Sequence, residues 1–227
     1  MSFGLSRGRA FDTSGYGIEA DDLPESDGAS LDPRRLFAAA DQPLEIEIGS
    51  GKGTFLVQQA TIQSNANFLG IEWSREYYRY AADRMRRNQL TNVLLLHDNG
   101  SEFIRFKCIA GVVDVLHLYF TDPWPKKRHH KRRFVQDDTL QATHRILTTE
   151  GCVHLVTDHD DLWAWYLDHA NRHRHLFDQQ PFRPPGSAGS GEVVGTNFER
   201  KYRREGRPFH AMTLVRKPIY EKPADAS

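Results

Sequence analysis

The chain has only two cysteines in 227 residues, no net charge and no long apolar run. Each shortage removes a class of protein. Cys108 and Cys152 lie far apart and form no CxxC pair, which argues against a zinc cluster or a disulfide framework and fits a reducing cytosol. The 30 basic residues are matched by 30 acidic ones. Any affinity for nucleic acid must therefore come from a local patch rather than from the global field. The opening residues, MSFGLSRGRAFD, hold no apolar stretch of the kind a secretory leader carries. The most apolar run, residues 111–120, is interrupted by Asp114 and His117 and is too short to span a bilayer. Nor is there an internal repeat. What remains is a soluble, cytoplasmic protein with room for one main domain.

Residues 1–42 are polar, acidic in part (EADDLPESDGAS) and without sustained periodicity, so they read as a partly irregular arm. From residue 44, strand-like segments at 44–48, 67–72, 92–97, 112–120, 151–157 and 210–218 alternate with helix-like ones. The helical segments fall at 54–61, 75–89, 100–109, 136–147 and 160–173, with Ser74 placed as an N-cap. Residues 181–195, PPGSAGSG in part, read as a mobile loop. Such alternation implies right-handed βαβ units and a mostly parallel sheet covered by helices on both faces. The chain thus divides into an arm at 1–42, a domain at 43–220 and a tail at 221–227.

A glycine-rich element, EIGSGKG at 47–53, follows the first strand-like segment and opens a helix. Glycines there allow a sharp turn and the close approach of a ligand. Glu72 lies 23 residues beyond Gly49 at the end of the next strand, where an acid binds the ribose hydroxyls of an adenosine-containing cofactor. The spacing is GxGxG, without the third glycine of a dinucleotide site, and Glu47 precedes it. A pyrophosphate would be repelled by that carboxylate. The sulfonium and ammonium of S-adenosylmethionine would be attracted. At the end of the third strand, HDNG (97–100) offers Asn99, with Asp98 as its rival, to bond an adenine ring.

The fourth strand runs into YFTDPWPKKRHHKRR at 119–133. One acid, Asp122, precedes six cations in eight residues: Lys126, Lys127, Arg128, Lys131, Arg132 and Arg133. Loops at the carboxyl ends of parallel strands overhang the ligand, and a run of this density matches phosphate spacing. A solvated face or a nuclear-localisation signal is the plainer reading of such a run, but neither accounts for the DPW just before it. DPWPKKRHHKRR resembles the signature of bacterial tRNA (guanine-N7)-methyltransferases, which normally reads PDPW followed by a basic run. GIE at 70–72, TD at 157–158 and TNFERKYRREGRP at 196–208 follow in that family's order. The similarity covers roughly residues 44–218, and SRGRAF in the arm extends it. Thr121 stands where the family usually has proline, and Asn99 where an aspartate is common.

The resemblance implies a Rossmann-like class I methyltransferase with a mostly parallel seven-stranded sheet. It further implies that S-adenosylmethionine is held by Glu47, Gly49, Glu72, Asn99 and Asp122. Substrate contacts fall to Lys126, Asp158, Thr196, Asn197, Phe198 and Glu199, and the tRNA backbone to Arg128, His129, His130, Lys131, Arg132 and Arg133. The implied reaction is methylation of guanine N7 at position 46 in the variable loop. That nitrogen is a free acceptor in the neutral base, so the enzyme's task is orientation, with Asp122 and Asp158 holding the guanine's donor edge. The same residues have bland readings: Asp122 as a turn cap, Asp158 as an N-cap, and Thr196 with Glu199 as a capping box. A small-molecule methyltransferase would leave six clustered cations idle. A non-catalytic RNA-binding module would not need both Glu47 and Glu72. His169 and His173 share helical spacing, but their arginine neighbours are poor company for a metal. Trp163, Trp165 and Tyr166 read as packing on the sheet, and Trp124 as the aromatic placed near RNA.

Overall fold

A computed structural model describes residues 10–23 and 30–218. The expected tail at 221–227, and residues 1–9 and 24–29 of the arm, lie outside the described residues. The elements, in chain order, are β1 (Gly17–Glu19), β2 (Leu44–Ile48), α1 (Thr54–Ile62), β3 (Asn67–Glu72), α2 (Arg75–Arg87), β4 (Val93–His97), α3 (Gly100–Glu102), β5 (Val113–Tyr119), α4 (Asp137–Ile146), β6 (Leu147–Thr157), α5 (Asp160–Arg172), β7 (Phe177–Pro181), α6 (Asn197–Arg204) and β8 (His210–Arg216). The eight strands form one sheet in the order β1-β4-β3-β2-β5-β6-β8-β7. All neighbours pair in parallel except β8, which runs antiparallel to both β6 and β7.

Alternation along the strands explains the two faces. In β2, Leu44, Ile46 and Ile48 join the cluster that includes Phe103, Leu140, Leu162 and Tyr166, so the turn at Phe103–Lys107 that follows α3, together with α4 and α5, covers that face. The opposite face receives Phe55, Leu56 and Ala60 of α1, with Tyr78, Ala81 and Met85 of α2. The sequence reverses direction at β2, whose neighbours are β3 on one side and β5 on the other. Doubly wound sheets place their ligand in the crevice at that reversal.

The sheet has eight strands rather than the seven expected. Periodicity marks only six of them, and the two that no pattern announces are the edge strands β1 and β7. In β1 three residues of the arm pair with β4, with Glu19 opposite His97. β7, FDQQP, has only its first residue buried, and a polar edge strand ending in proline looks like a loop in sequence. Ser74 does stand at the N-cap of α2, but its side chain makes no cap bond; Glu72 Oε1 instead accepts the Ser74 N–H at 2.7 Å. The stretch after α3 winds as a π-helical turn over Phe103–Lys107. Among the described residues no helix is long and apolar enough to cross a membrane.

Candidate active site

The glycine-rich turn after β2 is built on three left-handed residues: Gly49 at φ +74°, Gly51 at +53° and Gly53 at +64°. L side chains rarely adopt those angles. A Cβ on Gly53 would stand 2.5 Å from Met85 Cε and 3.2 Å from Ala81 Cβ, whereas one on Gly49 would meet nothing within 4 Å. Gly53 is therefore tight against α2, and Gly49 faces open space in front of the sheet.

Two acids flank that space. Glu47 is 5% exposed, and its Oε2 is buried without a hydrogen-bond partner. Burial, then the charge of Glu72, drives its carboxyl well above the ordinary range. Glu72 accepts from the Gly51 N–H at 2.8 Å and from the Ser74 N–H. Burial raises it too; those two N–H donors offset part of the rise and nearby Asp122 adds to it. A buried, partnerless carboxylate costs several kcal/mol unless something cationic or hydrogen-bonding meets it. The site fits a ligand carrying a sulfonium and an ammonium beside ribose hydroxyls.

Past β3 and β4 the wall continues. Glu19, Ala20, Trp73, Arg75, His97 and Asp98 line a cleft of about 400 Å³. Asp98 is held by Lys107 Nζ at 2.8 Å and by the Asn99 N–H. Asn99 caps α3 through Oδ1, accepting from the Ser101 and Glu102 amides, and its Nδ2 makes only a 3.4 Å contact with Glu102. Of the two candidates for an adenine ring, Asn99 has the more available donor. Glu19 was not foreseen. The arm brings it to His97 Nδ1 at 2.6 Å, while His97 Nε2 meets the Trp73 carbonyl at 3.2 Å.

β5 delivers the DPW loop to the same edge. Among the described residues, the non-glycine positions at positive φ are Gln89, Phe120 (+52°) and Trp124 (+43°). Two of the three bracket Asp122. An aromatic residue in that region costs about 1–3 kcal/mol and persists only where its surroundings hold it. Asp122 is exposed and close enough to Glu72 and Tyr202 to raise both. Thr121, in the place of the family's usual proline, is tied down: its hydroxyl lies 2.9 Å from the buried Tyr166 hydroxyl. Behind the loop, His117 bridges Glu45 at 2.7 Å and the Tyr119 hydroxyl at 2.8 Å. Next to it, His154 is driven down to about 3 by burial and by His117. None of this polar line was legible in sequence.

The basic run winds as a 3-10 turn over Lys127–Arg132. Lys126, Lys127, Arg128, Lys131 and Arg132 are exposed. The Arg132 guanidinium sits 4.8 Å over the Trp124 ring, whose edge meets His129 at 5.8 Å. His130 instead packs on Trp165 at 5.3 Å. Arg133 departs from the expectation altogether. Its side chain is 1% exposed, its Nε donates to the Pro123 carbonyl at 2.9 Å, and Nη2 donates to Asp161.

The remaining substrate candidates gather on the α6 side. Thr196 caps α6, accepting from the Glu199 N–H at 3.1 Å. Glu199 is fully buried and accepts from the amides of Val193, Val194 and Gly195 and from Arg203 Nη2. This is half a capping box; the carboxylate reaches back into the preceding loop instead of to the cap. Burial pushes Glu199 up, and Arg203 with the three amides more than reverses that. Asn197 Nδ2 donates to Thr54 Oγ1 at 3.0 Å, locking α6 to α1. Phe198 is 47% exposed and a Cβ on Gly51 would touch its ring. Asp158 is ion-paired with Arg207 at 2.7 Å. His169 and His173 turn Nδ1 to the Trp165 and His169 carbonyls respectively, one helical turn back, and Trp165 donates to the Val135 carbonyl.

A family model described as "Putative methyltransferase" matches residues 41–212. The tRNA (guanine-N(7)-)-methyltransferase of Geobacillus kaustophilus (strain HTA426) is 35% identical over 82% of this chain and 84% of its own length. That of Streptococcus mutans serotype c (strain ATCC 700610 / UA159) is 33% identical over 75% and 80%. Among solved structures, the aminoglycoside resistance methyltransferase NpmB1 superposes with a TM-score of 0.56 at 14% identity, over 77% of this chain and 87% of that one. The 16S rRNA methyltransferase KamB gives 0.56 at 12%, over 78% and 89%. The structures share the fold, an α/β class I methyltransferase sheet. Taken with the glycine turn, the paired acids and the DPW–basic turn, the sequence relatives place this chain in the tRNA (guanine-N(7)-)-methyltransferase family, whose cofactor is S-adenosylmethionine.

Proposed function

We propose that this protein transfers a methyl group from S-adenosylmethionine to N7 of a guanine in tRNA, at position 46 of the variable loop. One pairing carries the reading: β2 and β5 are parallel neighbours, and the carboxyl end of β2 holds a buried carboxylate without a partner while the chain leaving the carboxyl end of β5 forms a turn of exposed cations. A small-molecule enzyme would need only the first, a binding module only the second.

Bound there, the cofactor supplies a methyl group activated on a sulfonium. Glu47 and the turn around Gly49 receive its cationic end, and the free lone pairs of Glu72 accept ribose hydroxyls. Asn99 donates Nδ2 to the adenine. Guanine N7 has a lone pair and no proton to remove, so no general base is required. Asp122 and Asp158 accept from the guanine's N1–H and amine, and Lys126 and Phe198 line the approach. For Asp158 this means exchanging Arg207 for the base. Glu199 and Thr196 act at one remove, fixing the 193–195 loop. Arg128, Lys131 and Arg132, with His129, meet the tRNA backbone. The residues' work is orientation and exclusion of water, worth up to about 7–11 kcal/mol of barrier.

The test is transfer of labelled methyl from S-adenosylmethionine to unmodified tRNA, followed by nucleoside analysis, with Asp122→Ala alongside. 7-Methylguanosine made by the wild type and lost in the variant supports the reading. Label on another base overturns the substrate assignment.

A further inference from the structure

We propose that Arg133, the last cation of the basic run, is a positioning residue that clamps the DPW loop to α5 and so sets Asp122, and that it does not contact tRNA. This rests on the assignment of Asp122 to the methyl-transfer site.

Four observations converge. First, Arg133 is buried while the five other cations of the run are exposed, so it is out of reach of a phosphate. Second, its bonds go to the loop and the helix: Nε to the Pro123 carbonyl, the residue after Asp122, and Nη2 to Asp161 in the first turn of α5. Its guanidinium also lies 4.9 Å over the Trp165 ring of the same helix. Third, the residue before Asp122 is tied to α5 as well, through the Thr121–Tyr166 hydroxyl pair. Asp122 therefore hangs between two attachments to one rigid element. Fourth, the loop needs holding, because Phe120 and Trp124 on either side are left-handed aromatics. The exit of the turn is pinned too, with Gln136 Nε2 donating to the His130 carbonyl at 2.8 Å and the Arg133 carbonyl at 3.1 Å. Arg133 in turn holds the Asp161 carboxyl below its usual range.

A planar fork that bonds a carbonyl and a carboxylate while stacking on an indole is a task for arginine, and a lysine could satisfy only one part of it. A displaced loop moves Asp122 relative to the methyl and the base. Misplacement by about 1 Å costs on the order of 10²-fold in rate, with little effect on contacts made elsewhere by the exposed cations.

The experiment compares Arg133→Gln, Asp161→Asn, their double variant, Tyr166→Phe and Lys131→Ala. For each, tRNA affinity is measured across a salt series, kcat and KM under saturating cofactor, and amide exchange across residues 121–126. The clamp predicts that Arg133→Gln and Asp161→Asn each lose about tenfold or more in kcat, with tRNA KM within about twofold. The slope of log affinity against log salt stays that of the wild type in both, whereas Lys131→Ala loses about 0.7–0.9 from it. The double variant is no slower than the slower single one, and Tyr166→Phe raises exchange at 121–126. A slope reduced in Arg133→Gln as in Lys131→Ala, with kcat intact, overturns the clamp. So does Asp161→Asn with wild-type kcat and wild-type loop exchange. Should Arg133→Gln fail to fold, Asp161→Asn and Tyr166→Phe decide by those readouts. A wild-type protein that makes no 7-methylguanosine sinks the functional reading instead. Loop exchange in Asp161→Asn still decides the clamp: raised supports it, unchanged overturns it.

Discussion

Glu47 carries the most informative electrostatics of any single residue. Its folded-state carboxyl is raised, by burial first and Glu72 second, so the neutral form is favoured in the free protein. The stability that form contributes is full at acid pH and lost as pH rises through the elevated value. Binding a cation at the unpartnered Oε2 reverses the preference and expels the proton. Calorimetry of S-adenosylmethionine binding in two buffers of different ionisation enthalpy should show release of up to about one proton. Affinity should rise with pH while Glu47 titrates, and Glu47→Gln should remove both effects. Glu199 behaves oppositely. Its carboxyl is depressed by Arg203 and three amides against the pull of burial. It stabilises the fold above the ordinary carboxylate range, and that stability is lost as pH falls through its lowered value. Glu199→Gln should cost about 2 kcal/mol in denaturant unfolding, an effect that disappears toward acid pH. An unchanged midpoint at neutral pH would leave its four bonds without energetic weight.

At the scale of elements, the glycine turn separates packing from binding. Gly53→Ala and Gly49→Ala place a Cβ on similarly left-handed backbone, but the first meets Met85 and Ala81 and the second open space. Gly53→Ala should lose about 1–3 kcal/mol of stability. Gly49→Ala should lose only the conformational part, about 1 kcal/mol, while its cofactor dissociation constant rises at least tenfold. Thermal melting with and without S-adenosylmethionine distinguishes them. The arm is the other element with a consequence. β1 brings Glu19 to His97 at the wall of the cleft, where Glu19 also lies 3.7 Å from Arg75. Glu19→Ala should weaken cofactor binding severalfold, on the scale of about 1 kcal/mol for one partly exposed charged hydrogen bond, and leave tRNA binding alone.

Over the whole molecule, charge is balanced and yet five exposed cations share one turn beside the site. With all five on phosphates, binding to tRNA should fall with salt at a slope of about −3.5 to −4.5 in log affinity against log salt. A slope near zero would remove the basic turn from the interface. The same asymmetry explains why net charge was silent while a fifteen-residue window spoke.

Periodicity and glycine placement determined the α/β alternation, the six strands from β2 through β6 and β8, and the position of the cofactor turn. These are local: side-chain alternation, chain reversal and the carboxyl ends of strands follow from neighbours in sequence. Motif order gave the family. Tertiary structure alone decided which acids are bare and which are spent. Glu47 and Glu199 look alike in sequence, but one has an open lone pair and the other four donors. It likewise decided that β1 and β7 are strands, because edge pairing depends on a partner elsewhere rather than on a pattern within. And it turned Arg133 inward while its neighbours stayed out: six cations in a row carry the same charge, and only the helix beneath, with Asp161 and Trp165, distinguishes the one that is buried.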